Sequence, residues 1–81
     1  NAIGQVEMAR PKLVRMAPQL FMLEFKEPQE RKVRVYSVNG QHISAKSIVD
    51  RQAFIRIDQA GMYIIRVEEE GTAHSIKVMV N

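Results

Sequence analysis

An all-β fold, a seven-stranded immunoglobulin-like antiparallel β-sandwich, is predicted by three features of the sequence. From residue 13 onward, turn residues recur every eight to twelve positions. The runs between them alternate apolar and polar side chains with a period of two, and no stretch sustains the 3.6-residue period of a helix. Seven short strands in one flat sheet would leave a large apolar face in water, so two sheets must pack face to face about 10 Å apart. With 81 residues, 46% apolar and 26% charged, the chain is long enough for one thin core and too apolar for a disordered tail.

Residues 1–12 (NAIGQVEMARPK) hold no sustained period and carry Gly4 and Pro11, so they read as a linker entering a domain of residues 13–81. The opening Asn1 is read as the start of a piece of something longer. The first strand, residues 13–16, is closed by Pro18. In the second, 19–25, Phe21, Leu23 and Phe25 share the inward face. The third, 32–38, places Val33 and Val35 inward against Lys32, Arg34 and Tyr36. Asn39-Gly40 then reads as a type I′ hairpin turn, because both residues tolerate positive φ, and 41–48 pairs back. The fifth strand is 52–57, with Ile57 in the core. The sixth, 62–68, turns Tyr63, Ile65 and Val67 inward and is apolar on both faces at its start, which marks a central strand. After Glu69-Glu70-Gly71, residues 72–80 point Ile76, Val78 and Val80 in and Ser75, Lys77 and Met79 out.

The net charge of +3 lies in the first part of the chain: residues 1–34 hold seven Lys/Arg against four Glu, and 35–81 hold five against five acids. Arg10, Lys12 and Arg15 form one cluster and Arg31, Lys32 and Arg34 another. Glu24, Glu27 and Glu30 interleave the second, and no aromatic residue stands between the cations to stack a base. Both read as a solvated strand edge rather than a nucleic-acid footprint. The absence of cysteine removes disulfides, thiol nucleophiles and zinc-thiolate sites. No run approaches the roughly 20 apolar residues of a membrane span, and no signal peptide is legible.

Nothing in the sequence assembles into a catalytic set. His42 and His74 lack a second ligand at useful spacing and read as solvated strand histidines. Asp50 and Asp58 sit at turns, where aspartate bonds nearby amides, rather than as an acid/base pair. The run Glu68-Glu69-Glu70-Gly71 lacks the alternating ligands of a calcium loop and reads as a charged hairpin tip. Met8, Met16, Met22, Met62 and Met79 are scattered over separate segments and read as filler. No nucleophile elbow or phosphate loop is present. The expectation is no enzyme, no cofactor and no metal.

Three blocks together resemble a known family. They are Val33-Arg34-Val35-Tyr36-Ser37-Val38-Asn39-Gly40-Gln41, Ala60-Gly61-Met62-Tyr63-Ile64-Ile65-Arg66-Val67, and Ser75-Ile76-Lys77-Val78-Met79-Val80. In order and over residues 33–80, they are similar to the strand-and-turn, Gly-Tyr strand and closing Lys-Val strand of the C-terminal sorting domain of the type IX (Por) secretion system. Ala60 stands where the family often has proline, and the chain ends Val80-Asn81 where many members end in lysine.

The resemblance implies a folded secretion and sorting signal. Its recognition positions would be Tyr36, Asn39, Gly40, Gly61, Tyr63, Arg66, Lys77, Val78 and Val80. It implies an upstream cargo domain as partner, carried through the periplasm and across the outer membrane by the type IX machinery, to the cell surface or beyond. It also implies a sortase-like cysteine peptidase that cuts in or before residues 1–12 and joins the cargo to an anionic lipopolysaccharide. The competing reading is an immunoglobulin-like accessory module that binds carbohydrate or protein or acts as a spacer.

Overall fold

The computed structural model describes residues 11–81. Seven strands follow one another as β1 (Lys12–Ala17), β2 (Leu20–Glu24), β3 (Arg31–Ser37), β4 (His42–Ile48), β5 (Gln52–Arg56), β6 (Gly61–Glu69) and β7 (Thr72–Val80). They form a three-stranded sheet in the order β1-β2-β5 and a four-stranded sheet in the order β4-β3-β6-β7. Every pairing is antiparallel. Residues 1–10 of the expected linker lie outside the described residues, while Lys12, read as its last residue, opens β1.

Period-two alternation places the core between the sheets. Phe21, Leu23, Val33, Val35, Ile65 and Val67 are fully enclosed, and Phe25, Ala53, Ile55, Ile57, Tyr63, Val78 and Val80 complete one cluster. Phe25 and Ile57 lie just past their strands but stay in register, since their amides donate to the Arg51 and Gln19 carbonyls at 2.7 and 2.9 Å. β6 is central, between β3 and β7, as its doubly apolar start requires. Ile76, expected in the core, is only half-buried and packs against its margin. Three strands face four, so the outer strands of the larger sheet are only partly covered; β4 is exposed along nearly its whole length for the same reason.

Two further expectations are corrected. The β3–β4 connection is not a type I′ turn, because among the described residues none but glycine has positive φ. Val38, Asn39 and Gly40 form a three-residue loop in which the Gly40 amide donates to the Ser37 carbonyl (2.9 Å) and the Ser37 amide to the Gln41 carbonyl (2.8 Å). Gly40, at φ +92°, takes the left-handed position that ends such a loop. The register shift between Val35 and Tyr36 leaves Ile43 as an extra residue in β4, a bulge that absorbs the twist. The second correction concerns the cluster Arg31, Lys32 and Arg34, which is not a strand edge: β3 lies inside the sheet.

Arg31 is buried, with 7% of its surface exposed. Its guanidinium lies 4.0 Å over the Phe25 ring, pairs with Glu69 at 2.7 Å and donates to the Glu27 carbonyl at 3.0 Å. Gln29 donates to the other Glu69 oxygen at 2.9 Å, so the 25–30 connection is tied to the end of β6.

Each open side of the sandwich is spanned by one cation. From β1, Arg15 packs 4.7 Å over the Phe21 ring and donates to the Met79 carbonyl of β7. On the opposite side, Lys46 of β4 donates to the Phe54 carbonyl of β5.

Candidate functional site

The nine positions expected to serve recognition divide into two groups. Asn39 and Gly40 build the β3–β4 loop already described. Gly61, Tyr63, Val78 and Val80 close the same end of the sandwich: Gly61 is registered with Val80, and Tyr63 with Val78. Gly61 has φ +146°, a conformation L-residues rarely adopt, and it sits against the Tyr63 ring. That ring is 6% exposed, and its hydroxyl donates to the Gln59 carbonyl at 2.8 Å. The Gly-Met-Tyr block thus has a physical reason: the backbone needs glycine where the strand begins, the ring fills the end of the core, and the hydroxyl satisfies the preceding turn.

Tyr36, Arg66 and Lys77 point the other way, onto the outer face of the four-stranded sheet. Register arranges this face in cross-strand rows. Met62 and Met79 make the first row. Tyr36, Ile64 and Lys77 make the second, with His42 at its end; Arg34, Arg66 and Ser75 make the third; Lys32, Glu68 and Ala73 make the fourth. The face therefore passes from apolar to charged over about 20 Å, six residues at roughly 3.3 Å each, with the cations densest in the third row. Tyr36, Arg66 and Lys77, far apart in sequence, are brought to adjacent rows. The other six serve the turn and the core.

Glu68 is the one acid in these four rows, with Glu30 and Glu70 just beyond the last of them. It accepts from Arg66 at 2.8 Å and from Arg34 at 3.4 Å. Partial withdrawal from water pushes its carboxyl up, but the hydrogen bonds from Arg66 and Arg34, and then their charges, outweigh this and hold it below its usual value. A carboxyl depressed by folding adds stability that is present above its unfolded pKa and is lost as pH falls through the folded value. Glu68→Gln should therefore lower stability slightly at neutral pH and flatten the acid-unfolding profile just below the usual carboxylate range, with the two proteins converging at the lowest pH. Thermal melts of both proteins at stepped acid pH check this, and parallel profiles would remove the arginines' hold on Glu68.

The other candidates do not converge. Glu68 faces outward and Glu69 inward to Arg31, so the acidic run splits between two faces instead of wrapping a cation. Among the described residues no three His, Asp or Glu side chains are placed to share a metal ion. Asp58 pairs with Arg56 at 3.1 Å. His42 meets the Tyr36 ring edge-to-face at 5.5 Å. His74 is half-buried on the inward side opposite Val67, not solvated as its position near a strand start suggests. The carboxylates that meet the second basic cluster are Glu68 and Glu69, not the interleaved Glu24, Glu27 and Glu30. Only the β3–β6 register, which sets Lys32 opposite Glu68, carries that signal.

No helix among the described residues is long and apolar enough to cross a membrane. A family model described as secretion system C-terminal sorting domain matches residues 17–81, nearly the whole sandwich. No curated protein matches the chain. The family match does not favour an accessory binding module or spacer.

Proposed function

This chain belongs to the secretion system C-terminal sorting domain family, and on that premise we propose how it is used. It is a type IX secretion sorting signal, and the single observation that carries this is the match over residues 17–81. A signal of this kind marks its protein for export to the outer membrane, the cell surface or beyond. In the fuller reading, residues 13–81 are the address, residues 1–12 the linker, and an upstream domain the cargo. The cargo passes through the periplasm, and a sortase-like cysteine peptidase cuts in or before residues 1–12. The signal itself catalyses nothing in this reading.

The terminal hairpin β6–β7 supports a mode of reading. The Met79 carbonyl accepts from Arg15 of the other sheet, so it points away from β6. Strand alternation then turns the backbone groups of Ala73, Ser75 and Lys77 the same way. A strand added there gains main-chain bonds from this edge and side-chain contacts from the exposed Ser75, Lys77 and Met79.

Lys77 stands outward opposite Ile64 and forms no ion pair among the described residues. Lys77→Glu should alter stability by no more than about 0.5 kcal/mol, yet lower export of a reporter fused ahead of residues 1–81. Melting and export measured on the same variant separate fold from signal. Unchanged export, persisting when residues 76–81 are deleted, would make the terminal strand purely structural.

A further inference from the structure

The outer face of the four-stranded sheet carries an arrangement the fold alone does not ask for. Arg34 and Arg66 are registered directly opposite each other, a placement that costs stability in a sheet. Both lean on the single carboxylate of Glu68, and Lys32 stands opposite that same residue. With Lys77, the strand positions of this face hold four cations and one acid, and Glu30 and Glu70 lie beyond them, beside Lys32 at the end away from the β3–β4 loop. Toward the β3–β4 loop the same face turns apolar: Tyr36 stands opposite Ile64, and Met62 opposite Met79. The Val38 amide donates to the Met62 carbonyl at 3.0 Å, which continues the patch into the loop. Met62, Met79 and Val38 expose 36%, 47% and 51% of their surface. Exposed methionine with tyrosine and arginine, and little acid, is the composition found at the centre of protein–protein contacts. Methionine in particular suits adaptable apolar surfaces.

We propose that this face docks a protein whose contact surface is apolar opposite Met62 and Met79 and carries carboxylates opposite Arg34 and Arg66. The surplus of cations along the strands selects an acidic rim, and the apolar side chains of Met62, Met79, Tyr36 and Ile64 select an apolar centre. The proposal rests on the sorting function and deepens it: this is the surface the secretion machinery grips, with Met62 and Met79 as its anchors. A lipid surface fits less well, since contacts of that kind rely on Trp, Phe and Leu with lysine-rich flanks.

The test is a reporter fused ahead of residues 1–81 in a bacterium with a type IX system, with melting measured on each purified domain. Met62→Glu with Met79→Glu should reduce secreted reporter about tenfold or more, the equivalent of 1.4 kcal/mol of lost binding. Val49→Glu with Phe54→Glu, at exposed apolar positions off this face, should export like the parent. Equal export of the two double variants overturns the proposal. If the methionine variant melts low, Met62→Gln with Met79→Gln, which keeps side-chain length and adds no charge, decides in its place by the same criterion. Retention of the unaltered reporter overturns the sorting function and this inference with it. Co-sedimentation of the domain with phosphatidylglycerol–phosphatidylcholine vesicles, abolished by the methionine variant, would assign the face to lipid and overturn the protein partner.

Discussion

Arg31→Ala is expected to cost about 3–5 kcal/mol, because removing one member of a buried ion pair leaves the other uncompensated. Arg31 is 7% exposed, and its partner side chain, Glu69, 14%. The loss is compound. The Phe25 ring loses the guanidinium 4.0 Å above it, and the Glu27 carbonyl loses a donor at 3.0 Å. Against a total stability of roughly 5–15 kcal/mol for a small domain, most of the margin goes. Arg31→Lys should recover only part of it, since one ammonium cannot reproduce the planar fork. Replacing the pair together, Arg31→Met with Glu69→Leu, should restore much of what the single change removes. Urea unfolding of the four proteins checks the series; a single-variant loss below about 1 kcal/mol would show that the pair does not hold the 25–30 connection.

Ile65→Ala should cost about 2–5 kcal/mol, the range for removing a large aliphatic side chain from a packed core. Ile65 has no exposed surface and lies on the central strand, registered between Val35 and Ile76. Neighbours on both sides limit collapse into the void, which places the expected value in the upper part of the range. Ile76→Ala, at the half-buried margin, should cost distinctly less. Equal losses in equilibrium unfolding would contradict the view that the three-stranded sheet covers β7 incompletely.

The strands were legible because period two speaks directly to a half-buried sheet. Phe21, Leu23, Val33, Val35, Tyr63 and Val78 could each be assigned a face from their immediate neighbours. Less legible was whatever depends on a partner far along the chain. The burial of Arg31 is decided by Glu69, 38 positions away, and a basic residue beside Lys32 looks like solvated surface until that pairing is known. The Asn39-Gly40 pair suggested a two-residue turn, but the bulge at Ile43 lengthened the loop and left Asn39 with ordinary φ. Ile76 obeyed the alternation yet lost part of its cover, because strand count per sheet is not written in any local pattern. At the candidate site, Gly61 and Tyr63 explain themselves locally. The joining of Tyr36, Arg66 and Lys77 on one face depends on three strand registers.

The two cations that span the open sides bear on how such a molecule behaves in a crowd. A bare sheet margin is a template on which identical molecules stack into fibres, and a side chain lodged against its carbonyls obstructs the next copy. Lys46 obstructs β5 at Phe54 in this way, and Arg15 obstructs β7 at Met79. The obstruction on β7 sits near one end of a nine-residue strand, leaving the backbone of Ala73, Ser75 and Lys77 clear of it. Self-stacking is thereby discouraged without sealing the strand, so the domain resists polymerising with its own kind while one short length of margin stays open to a different molecule.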